Sequence, residues 1–239
     1  MNDPMKYLPS GDSAIIIKTG SDISANQNIK VRKLLYGIER EKINGIVDFI
    51  PAYNELLICY DPLEISFRRL LDTLYLIENK LDDIQLPESR IIRVPVLYGG
   101  EAGPDLDEVA ERNRLTPDKV IEIHSSADYL IYMLGFTPGF CYLGGMDERI
   151  ATPRKAQPRL NIPAGSVGIA DKQTGIYPIV SPGGWQLIGK TPLRLFDPAR
   201  DPVFLFSPGD HIRFYAIGEE EFLRISELSE KGSIFTAHQ

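Results

Sequence analysis

The sequence predicts a small α+β domain followed by an all-β barrel with a few short helices. Three observations predict this. Strand and helix patterns up to residue 97 follow the order β-α-β-β-α-β, the ferredoxin-like order. From Tyr129 onward, short apolar runs alternate with Gly/Pro turns, the signature of a small barrel. Between residues 135 and 192, glycine and proline interleave with aromatics at a density no disordered linker carries. Such irregular but rigid surfaces bind ligands or partners.

The elements follow in order. Residues 5–19 read as strand-turn-strand, with Ser10-Gly11-Asp12 as the turn and Ala14–Ile17 as an apolar run. Ser24 and Gln27 have capping-box spacing. Val31, Leu34, Leu35 and Ile38 then recur at helical spacing, giving an amphipathic helix from about Ala25 to Lys42 that Asn44-Gly45 ends. Strands follow at Ile46–Ile50 and Leu56–Tyr60. A helix over Phe67–Lys80 turns Phe67, Leu70, Leu71, Leu74 and Ile77 inward. Its cap is either Asp61, with Pro62 at the first helical position, or Ser66. Leu81–Ser89 reads as a linker, which sets domains of 1–88 and 89–239. Arg90–Leu97 supplies the last strand of the ferredoxin-like order.

The second half changes character. Tyr98–Pro104 is a loop. Short helices are expected at about Leu106–Arg112 and Pro117–His124, the second capped by Thr116 with Pro117 at its first position. Tyr129–Phe136 is almost wholly apolar and reads as a buried strand. Further strands are expected at Val167–Ala170, Gly175–Ile179, Trp185–Lys190, Leu193–Phe196 and His211–Tyr215. A final helix covers Gly218–Leu228, with three glutamates at its positive end.

Composition narrows the function. The 239 residues carry a formal charge of −7, which disfavours a generic nucleic-acid binder. No apolar run is long enough to span a bilayer, and the first residues lack a signal peptide's apolar core. Cys59 and Cys141 show no CxxC spacing, so reduced thiols in the cytoplasm are expected. Three histidines without ligand spacing argue against a metal site.

Several residues are candidates for chemistry. Gly184–Thr191 matches the P-loop pattern literally, but Trp, Gln, Leu and Ile fill its variable positions and Pro192 follows. It reads as a strand and the match as coincidence. His124, before the apolar strand, is the histidine best placed for acid–base work; a helix cap or core group is the bland alternative. His211 lies in a late strand and His238 in the tail. Asp147 is an acid–base candidate or a turn residue. Arg154 and Arg159 sit on a proline-stiffened loop and suit carboxylate or phosphate, or pair with this chain's own acids. Cys141 lacks an activating neighbour and reads as apolar filler. Phe136, Phe140, Tyr142, Tyr177 and Trp185 are either barrel core or the lining of a groove that receives a ligand or a partner segment.

The blocks Gly135-Phe136-Thr137-Pro138-Gly139-Phe140, Ile162–Val167, Gln173–Pro178 and Ser181–Pro192 occur together and in order. Through them the chain resembles the allophanate hydrolase subunit 1 family, also called the carboxyltransferase C-subdomain family. The resemblance implies a small α+β domain and a cyclophilin-like barrel. It implies that a chain of this size acts as the B subunit of an ATP-dependent 5-oxoprolinase, opening 5-oxo-L-proline to L-glutamate with the A and C subunits. One branch of the family is a Kip-type inhibitor of a sporulation sensor histidine kinase, opposed by a Kip-type antagonist equivalent to the C subunit. Fused relatives form part of urea carboxylase. A five-membered lactam resists hydrolysis, so coupling to ATP is reasonable chemistry. Within that implied reaction, Arg154, Arg159, Gln173 and Lys190 become candidates for binding substrate or phosphate, and His124 or Asp147 for acid–base work. ATP would be used by the complex and not through a P-loop here. The family pattern has glycine where this chain has Asp171, a residue that tolerates left-handed geometry.

Overall fold

Lys6–Pro9 (β1) and Ala14–Lys18 (β2) form the opening hairpin of a computed structural model that describes residues 4–230. The chain divides into two units, Met1–Glu88 and Ser89–Gln239. In the first, helix α1 spans Ala25–Glu41, and the Ser24 side chain accepts the Gln27 backbone N–H as the capping spacing requires. The helix stops at Lys42, which takes left-handed geometry at φ 47°. Strands Ile46–Pro51 (β3) and Glu55–Tyr60 (β4) follow. Helix α2 spans Phe67–Glu78, with Ser66 rather than Asp61 as its cap.

The four strands form one antiparallel sheet in the order β1-β2-β4-β3. Ile15, Ile17, Leu56 and Ile58 of the sheet bury against Val31, Leu34 and Ile38 of α1 and Leu70, Leu74 and Ile77 of α2. The ferredoxin-like order needs correction at one edge. The place beside β2 belongs to β1, because a hairpin delivers β1 there directly. The strand after α2 does not join this sheet.

That strand, Ile91–Tyr98 (β5), enters the second unit and buries Val94 and Val96 in a barrel core. Helices Leu106–Arg112 (α3) and Pro117–Ser125 (α4) follow, and Thr116 caps α4 by accepting the Lys119 N–H. Strands Tyr129–Leu134 (β6), Cys141–Gly144 (β7), Arg159–Ile162 (β8), Ser166–Ala170 (β9), Gln173–Ile176 (β10), Ser181–Gly183 (β11), Gln186–Lys190 (β12) and His211–Ala216 (β13) come next, then helix α5 over Glu219–Glu230. Seven strands close a barrel in the order β10-β7-β6-β13-β5-β12-β9, while β8 and β11 pair separately. The barrel is mixed, since β13 runs parallel to β5. Leu106, Val109, Val120, Ile123 and Ile225 from the helices share its core.

Two strand expectations change. Leu193–Phe196 is not a strand. Arg200 donates to the carbonyls of Arg194 and Leu195 on one side and of Pro202 and Val203 on the other. The segment makes a single bridge instead, Phe196 to Phe204, with Leu205 N–H donating to the Leu195 carbonyl and Asp197 N–H to the Val203 carbonyl, and Arg200 adds side-chain donors to the same turn. Phe136 lies beyond β6, at φ 65° and 64 % exposed.

Limited proteolysis is expected to cut first between Leu81 and Ser89, and a fragment starting at Glu88 is expected to fold alone. Circular dichroism of that fragment checks this; a coil spectrum would move the boundary.

Candidate functional site

The loop carrying Arg154 and Arg159 is anchored to the barrel around one buried carboxylate, with Lys155 N–H also donating to the Gly184 carbonyl. Asp105 precedes α3 and is almost fully buried. Its Oδ1 accepts from Arg159 at 2.7 Å and from Lys155 Nζ at 2.9 Å, and its Oδ2 accepts the Leu187 N–H of β12 at 2.7 Å. Burial alone would push its pKa up. The donors from Arg159, Lys155 and Leu187 outweigh that and hold it below the usual carboxylate value. Lys155 Nζ also donates to Glu108 at 2.9 Å and to Gln186 Oε1 at 3.2 Å, while Gln186 Nε2 donates to the Pro153 carbonyl. Sequence reasoning missed Asp105 because its partners lie 50, 54 and 82 positions away.

Arg159 is thus engaged with an acid of its own chain. Arg154 is looser, 3.7 Å from Asp171 with both side chains mostly exposed. Asp171 takes φ 53° in the β9–β10 turn, as expected of an Asp in place of glycine. Both guanidiniums lie near the Tyr177 phenol: burial pushes that phenol up to about 12, and the two cations pull the other way. Arg154 acts likewise on Tyr142. Tyr177 thus feels both cations and Tyr142 feels Arg154, while Gln173, at the head of β10, pairs in the barrel with Ala170.

Most of the proposed groove aromatics are core. Phe140, Tyr177 and Trp185 are 2 %, 1 % and 6 % exposed, and with Ile162, Ala170 and Leu187 they form a second apolar cluster. Phe140 meets Tyr142, Tyr177 and Trp185 edge-on at centroid distances of 5.0, 5.5 and 5.5 Å. The seat for the indole is a facing glycine pair, Gly168 and Gly175 of β9 and β10. A methyl on Gly168 would sit 3.1 Å from Trp185 Cβ, and one on Gly175 3.0 Å from Trp185 Cζ3. The groove expectation thus fails for Phe140, Tyr177 and Trp185, which bury one another on that bare seat. Tyr142 packs at the margin. Phe136 does line an open depression, with Pro138 and Phe204.

His124 is also corrected. Its ring is fully enclosed. Nδ1 lies 2.8 Å from Tyr98 Oη, Nε2 lies 2.8 Å from Thr174 Oγ1, and Phe214 stacks at 4.5 Å. The Thr174 hydroxyl donates to the Gly168 carbonyl. Its oxygen therefore accepts from Nε2–H, and Nδ1 accepts from Tyr98. Desolvation lowers the pKa to about 3. This is a neutral core histidine, out of reach of a substrate. Asp147 is the turn residue: it caps residues 148–150 and takes both Arg149 Nε and Nη2, which hold it at about 2. His211 sits in β13, and His238 lies outside the described residues.

Gly184–Thr191 is barrel. β12 pairs with β9 on one side and β5 on the other, and its Leu187 N–H is taken by Asp105, so its amides are not pointed at phosphate. Lys190 ends β12 and lines an open groove with Arg194.

A closed mixed barrel carrying these motif blocks defines a carboxyltransferase-type chain, and the family model for the carboxyltransferase domain, subdomain C and D, matches residues 5–206. The chain belongs to that family. It is 46 % identical over 230 residues to the 5-oxoprolinase B subunit of Bacillus subtilis (strain 168), covering 92 % of this chain and 95 % of that one. It is 42 % identical over 207 residues to the 5-oxoprolinase B subunit of Escherichia coli O157:H7, covering 85 % and 92 %. The crystal structure of TTHA0988 superposes with a TM-score of 0.76 at 38 % identity, covering 86 % of this chain and 40 % of that chain. Among the described residues no helix is long and apolar enough to cross a membrane.

Proposed function

We propose that this chain is the B subunit of a 5-oxoprolinase, a non-self-sufficient part of an enzyme that opens 5-oxo-L-proline to L-glutamate with ATP hydrolysis. The carrying observation is 46 % identity to a 5-oxoprolinase B subunit across 95 % of that protein. Its partners are the A and C subunits, and the barrel is read as cyclophilin-like.

The chain's own chemistry fits a contributor rather than a complete site. The buried imidazole of His124 is locked between Tyr98 and Thr174. Asp147 is taken by Arg149 and Asp105 by Arg159 and Lys155. The acid beside Arg154 is Asp171, mostly exposed on the β9–β10 turn at 3.7 Å, so a sheltered acid–base group is left for a partner subunit to supply. ATP is used by the complex, and residues 184–191 do not fit a phosphate cradle.

The test is reconstitution. The A and C subunits with this chain and ATP are expected to release glutamate from 5-oxoproline, and leaving the chain out is expected to abolish release. Turnover without this chain, or by this chain alone, would overturn the reading. Inhibition of a sensor histidine kinase's autophosphorylation, with no effect on glutamate release, would assign the chain to the Kip-type branch instead.

A further inference from the structure

The groove at the end of β12 gathers cations in a chain whose net charge is −7. Its volume is about 600 Å³, within the usual range of small-ligand sites, roughly 300–1,000 Å³, and among the described residues no Asp or Glu lines it. Lys190 enters from the last position of β12 and makes no ion pair among the described residues. Arg194 touches one carboxylate, Asp197 at 3.3 Å, and its side chain is 54 % exposed. Most of its donors are therefore open.

Two hydroxyls act alike in their bonding. Thr191 Oγ1 accepts the Leu193 N–H, and Ser229 Oγ of α5 accepts the Arg194 N–H. Neither donates its own hydrogen among the described residues. Two cations and two available hydroxyl donors thus line the groove, and the ion pair among the described residues that engages either cation is Asp197 on Arg194. The remaining walls are apolar, among them Phe196, Phe222 and Pro178. Apolar walls shed water and strengthen a charge-assisted contact to an anion.

We propose that this groove binds a small organic carboxylate with a compact apolar body, the class of 5-oxo-L-proline, through Lys190 and Arg194. The inference rests on the proposed function for the identity of the carboxylate. A nucleotide fits less well, because a triphosphate wants a run of free backbone N–H groups and β12 commits its own to neighbouring strands and to Asp105.

The variants Lys190→Met and Arg194→Met, each reconstituted with the A and C subunits, test it. Each is expected to raise KM for 5-oxoproline about tenfold or more, the effect of losing one charge-assisted hydrogen bond. KM for ATP should stay put, kcat should stay within about threefold as for a group binding ground and transition states alike, and Lys190→Arg should recover most of the loss. An unchanged KM for 5-oxoproline, or a raised KM for ATP, would overturn the site. If the wild-type complex turns nothing over, the functional reading fails on its own. The site is then decided by titrating the full chain with 5-oxoproline and with its uncharged amide: saturation by the acid alone, lost in both variants, supports it, and equal response to both ligands or to none overturns it.

Discussion

Trp185→Ala is expected to cost about 3–5 kcal/mol, the range for deleting a buried aromatic from a core. The indole is 6 % exposed and lies across Gly168 and Gly175, with Phe140 at 5.5 Å and Tyr177 at 6.3 Å on its edges. The glycines that make room for it cannot fill the void, because they have no side chains to move. The melting temperature should drop by about 10 °C, at a few degrees per kcal/mol for a unit of this size. A thermal scan and a calorimetric titration with the C subunit on one preparation check this. The fully folded fraction should bind with wild-type affinity. A stable variant that binds weakly would instead make Trp185 an interface anchor.

Much of the fold was legible because its local signals are strong. Ser24, Ser66 and Thr116 all cap the helices they precede, and the apolar stripes of α1 and α2 face their core. The false P-loop was legible from Trp185 and Pro192 alone. What was hidden depends on long-range pairing. Sequence order suggested that β5 completes the first sheet, but strand alternation does not say which sheet receives a strand. β8 and β11 are only four and three residues long, β11 is Ser-Pro-Gly, and the two pair with each other. The site was hidden for a similar reason. Asp105 looks like an ordinary helix cap, yet its carboxylate is occupied by Lys155, Arg159 and Leu187. Arg159 was legible as a donor but not as one already satisfied. Lys190 was legible only inside a motif, and the open groove beside it appears once α5 packs nearby.

Acid is expected to weaken the protein through His124 before the carboxylates titrate. The folded ring has a pKa lowered to about 3 by complete burial, against an ordinary value of 6.5. Between those values the unfolded chain binds a proton that the folded chain refuses. Stability therefore rises with pH through this window and is lost as pH falls below about 6.5, at about 1.4 kcal/mol per unit once well below it. From pH 7 to pH 5 the loss from this one group comes to about 2 kcal/mol. Among the described residues no charged side chain touches the ring to offset this: its neighbours are Tyr98, Tyr129, Thr174 and Phe214. His124→Gln keeps an acceptor and a donor for Tyr98 and Thr174 but cannot ionise. Urea denaturation of both proteins at pH 7 and pH 5 separates the effects. The variant is expected to be less stable at pH 7, since an amide does not fill the space of a stacked imidazole, and to lose about 2 kcal/mol less than wild type on acidification. Parallel losses in the two proteins would place the acid sensitivity elsewhere. In the folded wild type the His124 ring resonances should not shift between pH 7 and pH 5, and a midpoint near 6.5 would show that the ring reaches water after all.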